Sequence, residues 1–450
     1  MASTSRRAQL ETLSREELIE LALRAGGSMT SGESGGGGES SRNSTKRQKP
    51  QRPFDMSRHA QRHVALRVAY IGTTYQGFAY QVETPDTVEG RLLDALVKTR
   101  LITDRASSGV SCGGRTDKGV SALGQVLALR VRSNLSEGVG VVPATAPKQP
   151  EAGSGSGRAA SGAPPAAAPA SPAPAELDYC HLLNRVLPSD IRVTSWCPTA
   201  DDFSARFSAT HRTYKYFFVK GALDVGAMAE GARRLLGEHD FRNFCKIDPS
   251  VSNFRRSVLS AAIQPAAAAG TTAATASDAC ESRAASRASD ADAVWEFEVR
   301  GTAFLYHQVR CMVAVLFLIG EGKEAPAIVS DLLDTERYPR RPNYDIASDS
   351  PLLLYDIGYE HVAWRPSPIA LADVSALWSR ELREQALRAA MLQTMQASLQ
   401  PALEVAGFTD GSTDVDEPAR KRGRGAASHV PLAMRPTAES VQHRTKGRAL

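Results

Sequence analysis

The sequence predicts an α+β fold in which two similar halves share one sheet, and three observations carry that reading. Near the start of the ordered chain, VALRVAYIGTTYQGF alternates apolar and polar residues as a strand does, and TVEGRLLDALVKTRLI follows with apolar residues at helical spacing. A glycine-bounded loop, CGGRTDKGV, then feeds a second alternating run, QVLALRV. The order strand, helix, strand returns around THRTYKYFFV, which is the ground for expecting a second half like the first.

Taken in order, Ser14 with Glu17 is a capping-box pattern opening a short helix, with Leu18, Leu21 and Ala22 on one face. Gly26 to Arg52 is a Gly/Ser-rich linker ending in KRQKPQR, a run that suits a nuclear address or a solvated basic face equally. Order is expected from near Val64, and the helix expected at Thr87 to Ile102 carries Val88, Leu92, Leu93, Leu96 and Val97 at helical spacing. Val139 to Ala175 is almost wholly Gly, Ala, Pro and Ser, and Gln264 to Ala291 is a second tract rich in Ala, Ser and Thr. Neither holds enough apolar surface to offset its ordering entropy, so both are expected as loop insertions.

Between the tracts the pattern gives a helix at Leu177 to Leu187, the strand Thr210 to Val219, a helix at Gly226 to Gly237 and the strand SVLSAAI. Beyond them come the strand VWEFEVRG, the helices LYHQVRCMVAVLFLIGEG and APAIVSDLLD, the strand LLLYDIGY and a long helix from Leu371 to Gln400. The expected division is 1–60, a short helix and a disordered basic linker; 61–362, the catalytic region with insertions at about 139–175 and 264–291; 363–402, a C-terminal helix; and 403–450, a disordered basic tail.

Composition bounds the function. The 450 residues are 42% hydrophobic, enough for a large core, and the net charge of +5 permits a polyanionic partner without demanding one. Six cysteines show no C-x-x-C pair and no histidine at metal spacing, so reduced thiols and no metal are expected. Val309 to Ile319 is too short to span a bilayer. The absence of a secretory signal, and Glu11, Glu16, Glu17 and Glu20 near the start, lead to an expectation of the nucleus or cytoplasm in preference to the mitochondrion.

In CGGRTDKG, Asp117 and Gly119 would serve an ordinary turn, but glycines on both sides of the charged triplet also let the backbone approach a flat ligand. Tyr214 reads as a core strand aromatic, with Tyr216 on the same face. Arg310 lies in an apolar helix and needs a carboxylate partner, for which Asp117 is the candidate; a salt bridge that merely joins two halves would satisfy the same argument. His307 reads as a hydrogen-bonded core histidine. His59 and His63 have helical ligand spacing but no third ligand, so they read as a solvated face, while Leu123 and Val126 read as core.

With GRTDKGVSALGQV, DDFSARFSATHRTYKYFF, GTAFLYHQVRCMVA and YIGTTYQGF in this order, the chain resembles the TruA-type tRNA pseudouridine synthases over roughly Val64 to Tyr359. Ser121 stands where the bacterial members usually have histidine, which resembles the eukaryotic branch that modifies positions 38 and 39 of the anticodon arm. The resemblance implies a mixed, largely antiparallel central sheet flanked by helices. It also implies isomerisation of uridine: the bond from C1′ to N1 breaks, the base rotates, and C5 joins C1′, with no metal, nucleotide or redox cofactor.

By the same resemblance Asp117 is the catalytic residue, as nucleophile on the sugar or as base. Arg115 meets the phosphate or the vacated position, Tyr214 stacks on the extruded uracil, and Arg310, paired with Asp117, holds it ionised at the substrate. Extrusion of a stacked uridine costs about a few kcal/mol. The implied partners are tRNA and a second copy of the chain in a homodimer, with no membrane and no small-molecule cofactor. Two alternatives share the fold: a tRNA-binding or folding chaperone without the chemistry, and the same chemistry on another RNA.

Overall fold

A computed structural model describes residues 54–84, 86–145, 175–266, 292–405 and 429–437. In the first half the chain forms β1 (Ala60–Tyr70), α1 (Val88–Lys98), β2 (Ser111–Cys112), β3 (Ser121–Ser133), β4 (Val141–Val142), α2 (Tyr179–Asn184) and β5 (Ile191–Pro198). The second half is β6 (Ala209–Val219), α3 (Val225–Arg233), β7 (Gly237–Asp240), β8 (Arg255–Pro265), β9 (Val294–Gly301), α4 (Gln308–Gly320), α5 (Ile328–Leu333) and β10 (Leu352–Tyr359). The short β11 (Arg365–Pro366) leads into the long α6 (Pro368–Val405).

All the strands join one mixed sheet in the order β11-β5-β1-β3-β10-β6-β9-β8-β7, with β2 on β3 and β4 on β1. Leaving aside the short β4, β7 and α5, each half follows the pattern β-α-β-β-α-β, and its last strand pairs beside its first. Each half also has its own apolar cluster. Leu66, Leu92, Leu96, Leu127, Leu129 and Tyr179 lie in the first; Tyr216, Phe241, Phe244, Phe297, Met312 and Leu316 lie in the second. Three of the helices, α1, α2 and α3, start where a side chain takes up a free backbone N–H: Thr87 accepts from Gly90, Asp178 from His181 and Asp224 from Ala227.

The halves meet where β3 and β10 run parallel, pairing Ser121 with Leu353 and Ala122 with Leu354; every other strand pair is antiparallel. Gly124 makes the meeting possible, since a Cβ there would lie 2.6 Å from the Tyr355 carbonyl oxygen and 2.8 Å from the Asp356 Cα. Arg67 of β1 reaches over the seam to Asp356, with Nη2 at 2.6 Å from Oδ1.

Several boundaries differ from the sequence reading. Strand β1 begins at Ala60, so His63 lies on a strand, buried, with Nδ1 2.7 Å from the Thr199 hydroxyl, while the His59 ring stacks on Phe54. Helical spacing therefore has no helix to act on there, and His63 is no solvated face. Val141 and Val142 pair with Arg62 and Gln61 of β1, so structure persists beyond Val139. The tail expected to be featureless contains a packed segment, His429 to Thr437, whose Leu432 is fully buried in the second cluster.

The Ser14 helix, the Gly26 to Arg52 linker, most of both low-complexity tracts and the rest of the tail lie outside the described residues. Among the described residues Cys112, Cys180, Cys197, Cys245 and Cys311 are free thiols. No described helix is long and apolar enough to cross a membrane.

Candidate active site

The GGRTDKG loop joins β2 to β3 at the seam and is clamped from three sides. From the first half, the Phe78 N–H donates to the Thr116 carbonyl at 3.1 Å, the Gly119 N–H to Tyr75 at 3.3 Å, and the Tyr70 hydroxyl lies 2.6 Å from that of Thr116. Gly72 N–H donates to Ser121 Oγ at 3.0 Å, so YIGTTYQGF is a collar around the loop. Within β3, Gln125 holds Gly114 at both backbone groups, accepting at 3.1 Å and donating at 2.7 Å.

From β6, Arg212 donates to the carbonyls of Gly113 (3.0 Å), Arg206 (2.7 Å) and Thr302 (2.8 Å), tying together the three connections that border the site. Gly113 has a different reason from the one its sequence context suggests. A Cβ there would meet Ile357 at 2.6 Å and the Tyr359 hydroxyl at 2.8 Å, so the glycine serves packing against β10 and not the approach of a ligand.

This frame delivers the half-buried Asp117 to the start of α4. Its Oδ2 lies 3.3 Å from His307 Nε2 and 3.9 Å from Arg310 Nη1. Arg310 donates Nε–H to the Ala347 carbonyl at 2.8 Å, and its Nη1 is also 3.9 Å from Asp349 Oδ2. Asp349 is carried in just ahead of β10 and lies over Gly119, where a Cβ would be 3.1 Å from its carboxyl carbon. Arg310 therefore stands between two carboxylates.

Burial and Arg310 act on the Asp117 carboxyl in opposite directions. Burial pushes the Asp117 carboxyl up to about 6; Arg310 pulls it down, Asp349 adds to the rise, and Lys246 pulls it down. Burial, followed by the charges of Arg310, Lys246 and Arg341, pushes His307 down to about 4 against the opposing effect of Asp349. At neutral pH the imidazole is uncharged, so what it offers Asp117 is a neutral N–H. His307 occupies left-handed backbone (φ +61°) and its Nδ1 is buried without a hydrogen-bond partner, a strained placement that its sequence context did not announce.

Tyr214 is half-buried on β6 and packs against both apolar clusters, with its ring edge-to-face on Phe304 at 5.3 Å. Burial pushes its hydroxyl up to about 12, Arg212 opposing and the Asp117 charge adding to the rise, so it stays protonated. Tyr216 is fully committed to the second core. Arg115 is exposed and acts on Cys112, whose thiol is pushed up by burial and by Glu89 while Arg115 opposes.

The structure thus brings Asp117, Arg310 and Tyr214 to one seam and leaves Arg115 at its exposed margin. Sequence reasoning set His307 aside and missed Asp349, Lys246 and Arg212. His307 had a signal, its place directly before an apolar helix that holds Arg310; Asp349 had none, because its approach depends on the parallel β3–β10 pairing. Exposed rings border the site: Tyr306 lies 3.9 Å from the His307 ring with the Lys246 ammonium 5.7 Å from its own centre, and Arg206 sits 5.1 Å from Phe207. Such cation and aromatic pairs suit a nucleic acid. Among the described residues no group of three or more His, Cys, Asp or Glu is placed to hold a metal ion.

The family described as tRNA pseudouridine synthase matches residues 232–360, a span that includes His307, Arg310 and Asp349. A protein of Bos taurus named tRNA pseudouridine(38/39) synthase is 40% identical over 359 residues, covering 78% of this chain and 68% of its own length. The Homo sapiens protein of that name is 41% identical over 351 residues, 77% of this chain and 66% of its own. The one from Saccharomyces cerevisiae is 38% identical over 328 residues, 71% and 63%. The chain spans about two thirds of the length of these relatives.

Proposed function

The chain belongs to the tRNA pseudouridine synthase family of enzymes, and on that premise we propose that it isomerises uridine to pseudouridine at positions 38 and 39 of the tRNA anticodon arm, with Asp117 as the catalytic carboxylate. The observation that carries the reading is the seam itself, where a clamped loop holds one half-buried carboxylate against Arg310 and a neutral His307. A carboxylate titrating near 6 is mostly ionised at neutral pH, yet it is more basic than an ordinary aspartate. Both properties serve attack on C1′ and proton abstraction next to it alike, and the choice between them stays open.

Each neighbour then has a task. Arg310 orients the carboxylate through its tie to Ala347 and offsets part of the cost of its charge. Tyr214 offers the extruded uracil a ring fixed by Phe304, while the exposed Arg115 meets the backbone or fills the gap in the stack. A homodimer that grips one tRNA across both subunits belongs to the same proposal, on the strength of the resemblance. Action in the nucleus or cytoplasm is part of it too: KRQKPQR suits a nuclear address, and Glu11, Glu16, Glu17 and Glu20 do not suit a mitochondrial presequence.

The test is to map pseudouridine in total tRNA from cells with and without this protein, and in unmodified tRNA treated with the purified chain. Loss of the modification at 38 and 39 in the first, and its return in the second, is expected. Unchanged tRNA with loss in another RNA would move the substrate; tight tRNA binding with no isomerisation at all would favour a chaperone.

A further inference from the structure

The packed segment His429–Thr437 does not contact Asp117, yet it holds the loop that does the holding. Glu324 follows α4, and its side chain is 8% exposed. Its Oε1 accepts from the Leu432 N–H at 2.6 Å and lies 3.0 Å from His429 Nε2, so this nearly buried carboxylate finds both partners in the segment. Leu432 itself is fully buried among the residues of the second core. A buried carboxylate stripped of its donors is costly, and so is an emptied leucine site.

From that anchor the segment reaches the chain ahead of β10. Asn343 N–H donates to the Pro436 carbonyl at 2.9 Å, Arg435 Nη1 donates to the Asn343 carbonyl at 3.3 Å, and Pro342 and Thr437 form an isolated antiparallel bridge. A few residues on, Ala347 and Arg310 bond to each other twice, by Arg310 Nε to the Ala347 carbonyl and by the Ala347 N–H to the Arg310 carbonyl at 3.3 Å. Asp349 comes directly after. The path runs from Leu432 by hydrogen bonds to Asn343, along the chain to Ala347, by two hydrogen bonds to Arg310, and across a 3.9 Å ion pair to Asp117.

We propose that His429–Thr437 is a positioning strap for the reaction: anchored by Leu432 and Glu324, it fixes residues 342–349 and thereby the placement of Arg310 and Asp349 around Asp117. This rests on the reading of Asp117 as the catalytic carboxylate. The strap touches neither the exposed Arg115 nor Tyr214, so it governs turnover and the ionisation of the site, not the grip on tRNA.

The experiment compares Leu432→Ala, Leu432→Met and Arg435→Ala in the full chain, by single-turnover release of tritium from C5-labelled uridine in tRNA across pH, with tRNA affinity measured in parallel. Leu432→Ala is expected to lose about tenfold or more in rate, to keep tRNA affinity within about twofold, and to move its acid limb to higher pH as Arg310 loosens. Leu432→Met should restore most of the rate. Arg435→Ala, which leaves the core anchor intact, should show the same direction to a lesser degree and covers the case in which Leu432→Ala fails to fold.

Wild-type rate and pH limb in both alanine variants would overturn the strap, as would a rate loss with an unmoved limb that follows thermal stability alone. If Asp117→Ala is inactive while Leu432→Ala behaves as wild type, the strap falls and the catalytic reading stands. If Asp117→Ala keeps its activity, that reading falls first.

Discussion

The two halves repeat one pattern but place their chemistry in different connections. In the first half the link from β2 to β3 is the clamped GGRTDKG loop with Asp117, and the link from β3 to α2 contains the first low-complexity tract. In the second half the assignments are reversed. The link from β8 to β9 contains the second tract, and the link from β9 to α4 delivers His307 and Arg310. Position in the sheet accounts for this. The two chemical links border the start of β3, at Ser121, and the end of β9, at Gly301, and Arg212 ties both by donating to the Gly113 and Thr302 carbonyls.

The two tracts leave from the other ends, where Asn134 Nδ2 bonds the Ala175 carbonyl and Ala266 N–H bonds Val294. A connection that carries the site is fixed by packing and charge, and one that does not is free to lengthen at little closure entropy.

The largest way to break the comparison is at Arg310, the second half's contribution to the first half's carboxylate. Arg310→Met should fold and lose about a hundredfold in single-turnover rate, equivalent to about 2.7 kcal/mol. Its acid limb should move above pH 6, because removing the cation leaves burial and Asp349 to raise Asp117 further. Arg310→Lys should recover part of the rate, since an ammonium lacks the planar two-point grip. A wild-type rate and profile in Arg310→Met would make the residue a tie between halves and nothing more.

Tyr214 tests the floor of the seam. Stacking on a base is worth about 1 to 3 kcal/mol and needs only the ring, so Tyr214→Ala should weaken tRNA affinity while Tyr214→Phe retains it in a binding titration. Equal losses in both would assign the role to the hydroxyl. A smaller effect is expected at Asp349, whose like charge adds to the rise of Asp117. Asp349→Asn should move the acid limb of the rate to lower pH by less than about one unit. A shift upward would contradict the placement of the two carboxylates around one guanidinium.

The smallest effect belongs to the far edge. Deleting residues 146–174 or 267–291 and closing each gap with a short Gly/Ser link should leave turnover and tRNA affinity unchanged in the same assays. A loss of either would mean that a tract contributes to the site.

Much of this arrangement was legible in the residues. Alternation and helical spacing located the β-α-β pattern of both halves, and the need of an arginine in an apolar helix for a carboxylate pointed from Arg310 to Asp117. The balance of charge at Asp117 was not legible, because the depth of burial that outweighs Arg310 is a property of the assembled seam. Asp349 was hidden for a similar reason, since it meets Gly119 through strands that pair across the two halves. The strap escaped notice because its signal is one leucine in a basic, proline-bearing stretch, and the buried Glu324 that it serves lies far away in the chain.

The central claim is that the carboxylate brought to the seam by the first half performs the bond-breaking step. It is tested most directly by single-turnover tritium release from C5-labelled uridine in tRNA with Asp117→Ala, alongside its tRNA affinity. RNA binding is mostly backbone contact, so the account expects affinity within a few-fold of wild type, no detectable release from the variant, and a wild-type rate that rises through about pH 6. Release by Asp117→Ala at the wild-type rate would contradict it.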